Sequence, residues 1–435
     1  MRLLFNLKHT GIWLAAAGLG LAQPQSLTLE QALERVERTS LTVLISRESI
    51  AQAFEQSVRS RSSLLPQVTF DATQRRSRSA AVGAAVVRAG ISSRFDAQLN
   101  ARLDLLNPEN IATYQASRLA VAVAQLGEAQ VRQSVMAAVA ESYFAHLRNL
   151  ERIAVLDDNV ARARRLRDLA QHQLDAGVAT QIDVTRADAQ VAVAVQARLQ
   201  QATVVQGSEL QLKQLLDLDM QRPLALADFI VRRTEPGVFT PIETTQVYDR
   251  RPDMQSARRL LDQHELEVKA ARYGRLPSLA LIGSYGEATE RVLDGGGATT
   301  WSSSIALSLP LFDGSRTKSL TNFALSRRRA QELRVRDLEN QISAELQLAR
   351  QDAASRYAQI SVAETGLALA REEMELAQQR FAQGVADNRE IIEAQGRLAE
   401  AGDNVVEAIY RYKVSRVELA RVRGDVARVL ADRAE

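Results

Sequence analysis

The chain has 435 residues, 46% hydrophobic and 25% charged, which is enough apolar material for a buried core and rules out a disordered chain. The absence of cysteine excludes thiol catalysis, disulfides, cysteine-ligated zinc and lipid attachment to a cysteine. The formal charge is +3, or +1 without the first 22 residues, and this near-neutrality argues against a phosphate-binding surface such as a nucleic-acid site; aromatics at 5% beside abundant Ala, Gln, Arg and Leu favour long helices over a compact α/β enzyme.

Residues 1–22 read as a secretory signal. Arg2 and Lys8 form a basic start, Gly11 to Leu21 is apolar, and the small residues Gly20 and Ala22 suit cleavage before Gln23. The segment holds two bases and no acid, so the charge of +3 falls to +1 without it. A retained N-terminal anchor is the alternative. No later segment approaches ~20 consecutive apolar residues, the length of a membrane helix.

After Pro66 the pattern becomes alternating. Val68, Phe70 and Ala72 face one way, and Thr69, Asp71 and Thr73 the other. Phe95, Ala97, Leu99, Ala101, Leu103 and Leu105 alternate with Arg94, Asp96, Gln98, Asn100, Arg102 and Asp104. A period of two over such a stretch predicts strands at about 67–75 and 93–106, each with one apolar and one polar face. From Glu109 to Ala176 there is no proline, and a helix of that length reaches ~100 Å at ~1.5 Å per residue. It ends at Gly177-Val178-Ala179, and a shorter helix follows.

Residues 221–252 hold Pro223, Pro236, Pro241 and Pro252 and read as a connector. Beyond it the order repeats. Ser63-Leu64-Leu65-Pro66 matches Gly274-Arg275-Leu276-Pro277, and Leu105-Leu106-Asn107-Pro108 matches Leu311-Phe312-Asp313-Gly314. Alternation predicts strands at about 278–288 and 301–312, with Leu279, Leu281 and Tyr285 on the apolar face of the first, Trp301, Ile305, Leu307, Leu309 and Leu311 on that of the second, and Asp294-Gly295-Gly296-Gly297 at the hairpin tip. A second long helix runs from Ser315 to Gln383 and ends at Gly384-Val385-Ala386. LAQHQLDAGVATQIDVTRADAQ from Leu169 aligns at a constant offset with LAQQRFAQGVADNREIIEAQGR from Leu376. The chain therefore divides into repeats at 23–220 and 253–435. In the last helix Ile391, Ala394, Leu398, Ala401, Val405, Ala408, Tyr412, Ser415, Leu419, Val422, Val426 and Val429 trace a coiled-coil seam.

Strands of ~10 residues suit a tilted crossing of an outer membrane, with Phe70, Phe95, Tyr285 and Trp301 as candidates for an interfacial aromatic belt. A half-buried soluble sheet is the alternative. Four strands cannot close a barrel and open edges are not tolerated in lipid, so the membrane reading requires an oligomer, and three copies supply twelve strands.

The signal segment, the two similar halves, a Leu-Pro before each hairpin and G-V-A-x-x-x-[DE] between long helices together resemble the TolC family of outer-membrane efflux proteins. The resemblance implies a mainly α fold with a transmembrane β-barrel: a homotrimer with a twelve-stranded barrel in outer-membrane lipid and a twelve-helix tunnel extending into the periplasm. It implies a periplasmic adaptor and an inner-membrane pump as partners at the tunnel tip, no cofactor, no chemistry and no nucleic acid. The cargo it implies is small molecules: drugs, toxic compounds or metal ions. Polypeptide export, as in type I secretion, keeps the same fold, and a coiled-coil protein without a pore is a further alternative.

By the same resemblance Gly177, Val178, Ala179, Gly384, Val385 and Ala386 form the adaptor-docking tips, and Asp183, Glu390 and Glu393 are acids of a periplasmic gate. Three chains would gather Glu390 and Glu393 into a ring of six carboxylates favouring cations, with crowding that raises some of their pKa values. Helix capping is the competing role, by Thr180 with Asp183 and by Asp387 with Glu390. Some family members place an arginine two residues after the second tip glycine. Here that position is Ala386, with Arg389 nearby. His9, His146, His172 and His264 lack metal-ligand spacing, and Arg327-Arg328-Arg329 reads as a solvated helix face.

Overall fold

The structure is a computed structural model describing residues 25–80, 89–227, 243–292, 296–383, 385 and 388–427. The signal segment, Asp294, Gly295 and Val429 lie outside the described residues.

The chain opens with strand β1 (Gln25–Leu27), helix α1 (Leu29–Thr39) and helix α2 (Leu41–Ser62). Thr28 starts α1 in a capping box with Gln31, whose backbone N–H donates to Thr28 Oγ1 at 3.2 Å. Strands β2 (Gln67–Ala80) and β3 (Ala89–Leu106) form a hairpin. Helix α3 (Pro108–Asp175, 68 residues) follows, then α4 (Gln181–Leu216, 36 residues). Pro108 occupies the first turn of α3, where its missing N–H costs nothing, and Asn107 caps it by accepting from the Asn110 N–H at 3.1 Å. Strand β4 (Leu224–Leu226) and helices α5 (Thr244–Arg250) and α6 (Pro252–Tyr273) lead to strands β5 (Ser278–Thr289) and β6 (Ala298–Ser308). Helices α7 (Arg316–Ala382, 67 residues) and α8 (Asn388–Val422, 35 residues) complete the chain. At ~1.5 Å per residue α3 and α7 each extend ~100 Å.

One four-stranded antiparallel sheet runs in the order β2-β3-β5-β6, leaving β2 and β6 as its edges. Its register places Phe70 opposite Leu99, Leu99 opposite Tyr285 and Tyr285 opposite Trp301. Opposed residues in a ladder project to the same side, so this row crosses the whole apolar face. Phe95 shares the face but stands four residues further from the helices, opposite Gln74 and Thr289. The other face is polar. Asn100 donates to Asp71 at 2.7 Å, the Ser284 and Ser302 hydroxyls lie 2.8 Å apart, and Arg94 pairs with Asp96 at 2.8 Å.

Three strand details depart from the alternation pattern. The first hairpin extends to Ala80 and begins again at Ala89, because its outer part is polar on both faces and carries no hydrophobic period. β6 starts at Ala298 and stops at Ser308. Pro310 lacks the ladder N–H, so Leu309, Leu311 and Phe312 fall outside the strand. A bulge between Asp104 and Leu106 displaces Leu105 from the ladder and puts Leu106 opposite Leu279.

The largest core lies midway along α3. Met136, Val139, Ala140, Tyr143 and Leu147 pack with Leu29, Leu33 and Val36 of α1, Leu212 and Leu216 of α4, and Val417 and Val426 near the chain's end. The Tyr143 hydroxyl donates to the Leu27 carbonyl at 3.0 Å, tying β1 to this core. Within the first connector, β4 pairs in parallel with β1, a contact that three residues of each strand make without any periodic signal. Glu209 of α4 accepts from the Leu224 N–H at 3.1 Å and pairs with the buried Lys213 at 2.6 Å, fixing β4 on α4. His146 sits beside them, its Nδ1 2.8 Å from Ser208 Oγ, and burial holds its pKa below the ordinary histidine value.

Along α8, Ile391, Ala394, Tyr412, Ser415, Leu419 and Val422 are buried, with Leu398, Ala401, Val405 and Ala408 partly so; Val426, in the turn beyond the helix, is buried as well. The spacing of three and four thus points one stripe at α7 and α3.

Candidate functional site: the helical tips

Both long helices end in short turns far from the sheet. At the first, Ala176 caps α3 and Gly177 adopts φ +76°. The Gly177 N–H donates to the Leu174 carbonyl at 2.9 Å and the Val178 N–H to Gln173 at 2.9 Å, the two bonds of a Schellman motif. Gly177 is therefore a conformational requirement. An L-residue in the left-handed region costs roughly 1–2 kcal/mol, so Gly177→Ala will lower stability by about 1 kcal/mol. Thermal unfolding checks it. Apart from the adjoining residues no atom lies within 4 Å of the added methyl, so any loss comes from the local backbone alone.

Val178 follows at 76% exposure, and Ile182, the second residue of α4, at 56%. Apolar side chains so exposed at a hairpin tip form a small sticky surface. The sequence reading singled out Val178 and missed Ile182; an apolar residue two places after the capping threonine was the available signal.

The acids near this tip have local partners. The Asp183 carboxylate accepts from Thr180 Oγ1 at 2.6 Å and the Thr180 N–H at 3.0 Å, in a capping box at the start of α4. These two hydrogen bonds hold its pKa below the usual aspartate range. Arg186 stands 3.9 Å away.

At the second tip Val385 is 66% exposed, and its N–H donates to the Arg380 carbonyl at 3.0 Å. Gly384, Ala386 and Asp387 lie outside the described residues. Glu390 of α8 pairs across the hairpin with Arg380 of α7 at 3.0 Å. Glu393 pairs with Arg389 at 2.9 Å and reaches Arg397 at 4.0 Å; Arg397 in turn bonds Glu373 of α7 at 2.6 Å. Arg389 thus bonds an acid of its own helix. Within one chain both acids of this tip carry an arginine partner; that of Glu390 was not legible in the sequence, because Arg380 lies on the other helix.

Further up, Arg198–Asp157 at 2.7 Å and Arg167–Asp188 at 3.8 Å link α4 to α3. Exposed pairs of this kind contribute about 0–1 kcal/mol each, so they set the register of the hairpins more than their stability.

A protein-family model described as outer membrane efflux protein matches residues 31–217 and 245–425. The chain belongs to the outer membrane efflux protein family. It is therefore an outer-membrane efflux channel, located in the outer membrane and extending into the periplasm. The channel is 25% identical over 324 residues to outer membrane protein OprJ of Pseudomonas aeruginosa, covering 69% of this chain and 62% of OprJ. It is 24% identical over 380 residues to the probable efflux pump outer membrane protein TtgC of Pseudomonas putida, covering 84% of this chain and 76% of TtgC. Among solved structures the channel resembles the CmeC outer membrane channel of Campylobacter jejuni, with TM-score 0.81 and 19% identity over 94% of this chain and 89% of CmeC. The outer membrane protein VceC of Vibrio cholerae matches with TM-score 0.79 and 18% identity over 91% and 96%. These likenesses fix the fold as the TolC-like one.

Proposed function

We propose that three copies of the chain form a passive duct through which small molecules leave the cell. The observation that carries this is the pair of open edges, β2 and β6, on a sheet whose one face is a continuous apolar row. Unpaired backbone is not tolerated in lipid, and three four-stranded sheets joined edge to edge remove every edge. Phe70, Tyr285 and Trp301 then form the outer aromatic girdle, with Leu99 between them and Phe95 beyond it. The exposed Leu311 and Phe312 lie ten or eleven residues from Trp301. β6 covers the first seven of those steps, ~23 Å along the strand and about 18 Å of height at ~40° tilt, and the chain leaves the ladder after Ser308. The helices of each half continue as a twelve-helix tunnel, the two halves being a duplicated unit. The duct itself performs no chemistry.

The exposed Val178, Ile182 and Val385 make the tips the docking ground for a periplasmic adaptor, behind which an inner-membrane pump supplies the energy. A small-molecule cargo is favoured by the names of the relatives: the TtgC of a second Pseudomonas putida strain is described as a toluene efflux pump outer membrane protein, and FusA of Burkholderia cepacia as a fusaric acid resistance protein.

The tips are also the gate. Glu390 and Glu393 of three chains make a ring of six carboxylates, each already held by an arginine of its own hairpin. The arginines lower the field of the ring without abolishing it, since pairs this exposed are strongly screened. Single-channel recordings of the purified protein in planar bilayers test the whole reading. The wild type will conduct with a preference for cations and be blocked by multivalent cations. Glu390→Gln with Glu393→Gln will move the permeability ratio toward one and weaken the block. Unchanged selectivity together with unchanged block removes the acidic ring, and no conductance from the wild type removes the duct.

A further inference from the structure

Two arginines on β2 stand on the apolar face of the sheet, beyond its apolar part. Strand parity puts Val68, Phe70, Ala72, Gln74, Arg76 and Arg78 on one side. Arg76 lies opposite Ser93 and Arg78 opposite Ile91, both neutral. Both arginines are exposed, and among the described residues neither joins an ion pair. Two acids are described near this part of the face: Glu287, opposite Ala97, lies four residues nearer the aromatic row and two strands away, and Glu290 accepts at its carbonyl from the Gln74 side chain at 3.5 Å; neither forms an ion pair with Arg76 or Arg78. The polar face differs. There Arg94 and Arg102 already hold Asp96 at 2.8 Å and Asp104 at 3.2 Å. Arg75, opposite Arg94 on that face, joins no ion pair among the described residues either, but with Asp71 the strands carry three acids and three bases there, whereas the other face carries Arg76 and Arg78 against Glu287.

Position decides what can balance these two arginines. Arg76 is six residues beyond Phe70, ~20 Å along the strand and roughly 15 Å in height at ~40° tilt. The hairpin end lies opposite the helices, and so on the outer side of the membrane. This level is above the hydrocarbon, among the headgroups of the outer leaflet, where a guanidinium meets phosphate with paired N–H donors.

We propose that Arg76 and Arg78 bind the phosphates of saccharide-headed lipids of the outer leaflet, giving the barrel a collar of six arginines. This rests on the membrane barrel proposed above. On that barrel the collar would sit next to the subunit junction, because β2 is an edge strand. A phosphate held there contacts the chain beside each seam.

The experiment compares the purified wild type with Arg76→Ser plus Arg78→Ser. Heat-stable trimers and channel conductance are measured first, and their absence in the wild type overturns the barrel and the collar together. Binding of fluorescent lipopolysaccharide in detergent is then titrated. At about one factor of five per basic residue at a lipid surface, the double variant will bind about thirtyfold more weakly. The wild type will lose a similar factor with enzymatically dephosphorylated lipopolysaccharide, a comparison that decides the matter even where the variant fails to assemble. Equal binding by assembled wild type and variant, or indifference of the wild type to dephosphorylation, overturns the collar. So does equal affinity for phosphatidylglycerol vesicles, which would mark general attraction to anionic lipid.

Discussion

Replacing Arg251 by methionine will destabilise the folded chain by about 3–5 kcal/mol, the range for removing one partner of a buried ion pair. Arg251 is 5% exposed and joins three segments far apart in sequence. Its guanidinium donates to Asp253 at 2.7 and 3.0 Å, to Glu345 of α7 at 2.8 Å and to the Val422 carbonyl at the end of α8 at 3.3 Å. Asp253 is 17% exposed and Glu345 41%, so most of the cost falls on Asp253, which would keep a charge with little water to solvate it. Chemical denaturation followed by helical circular dichroism measures the loss. Adding Asp253→Asn to the Arg251→Met chain will restore part of it, since the stranded charge goes too. A single-variant loss below about 1 kcal/mol would show that the network is slack.

The same network dictates a pH dependence. Burial pushes the Asp253 carboxyl up, but hydrogen bonds and charge from Arg251 outweigh it and hold it below the ordinary range. A depressed folded-state value means the stabilisation is complete above the unfolded pKa of about 4 and is lost as pH falls through the folded value. Arg251→Met will remove this acid-side slope.

How far these features could be read from sequence depends on what each residue answers to. The long helices were legible because nothing between Glu109 and Ala176 breaks them. The strands were legible only where one face is apolar: Phe95 to Leu103 alternates plainly, whereas Arg76 to Ser79 is polar throughout and hid the outer third of β2. The buried stripe of α8 was readable to single residues, since a seam imposes its own spacing. The Arg251 network was not, because its members are separated by 94 and 171 residues and an Arg-Pro-Asp run has no period. Glu390 illustrates the same limit. The family resemblance proposed its place near the tip, but its partner Arg380 is visible only once α7 and α8 are packed.

A second large effect lies in the sheet, at the seam between its two hairpins. Gly286→Val will abolish the assembled channel, while Gly283→Ala on the same strand will be tolerated. Both glycines belong to β5. A Cβ at Gly286 would overlap the Ala97 carbonyl and come within 2.5 Å of the Gln98 Cα of β3. These are backbone atoms of a strand held in its own ladder with β2, so neither can turn aside as a side-chain end would. At Gly283 the nearest neighbour is the Ser302 carbonyl at 3.7 Å, an ordinary contact. Overpacking costs about 1–3 kcal/mol where neighbours can shift, and a clash between backbones belongs at or above the top of that range. The damage is also poorly placed. β3 and β5 are the two central strands, and their pairing joins the first hairpin to the second. Splitting them creates two new edges per chain, and in lipid each edge exposes unpaired backbone that no neighbouring subunit is positioned to cover. Heat-stable trimers on gels will therefore disappear for Gly286→Val and persist for Gly283→Ala. Helical circular dichroism will stay close to wild type in both, because the core around Tyr143 lies midway along α3, away from the sheet. Intact trimers from Gly286→Val would mean that β3 and β5 separate without opening the barrel, and would place the strength of the assembly in the helices.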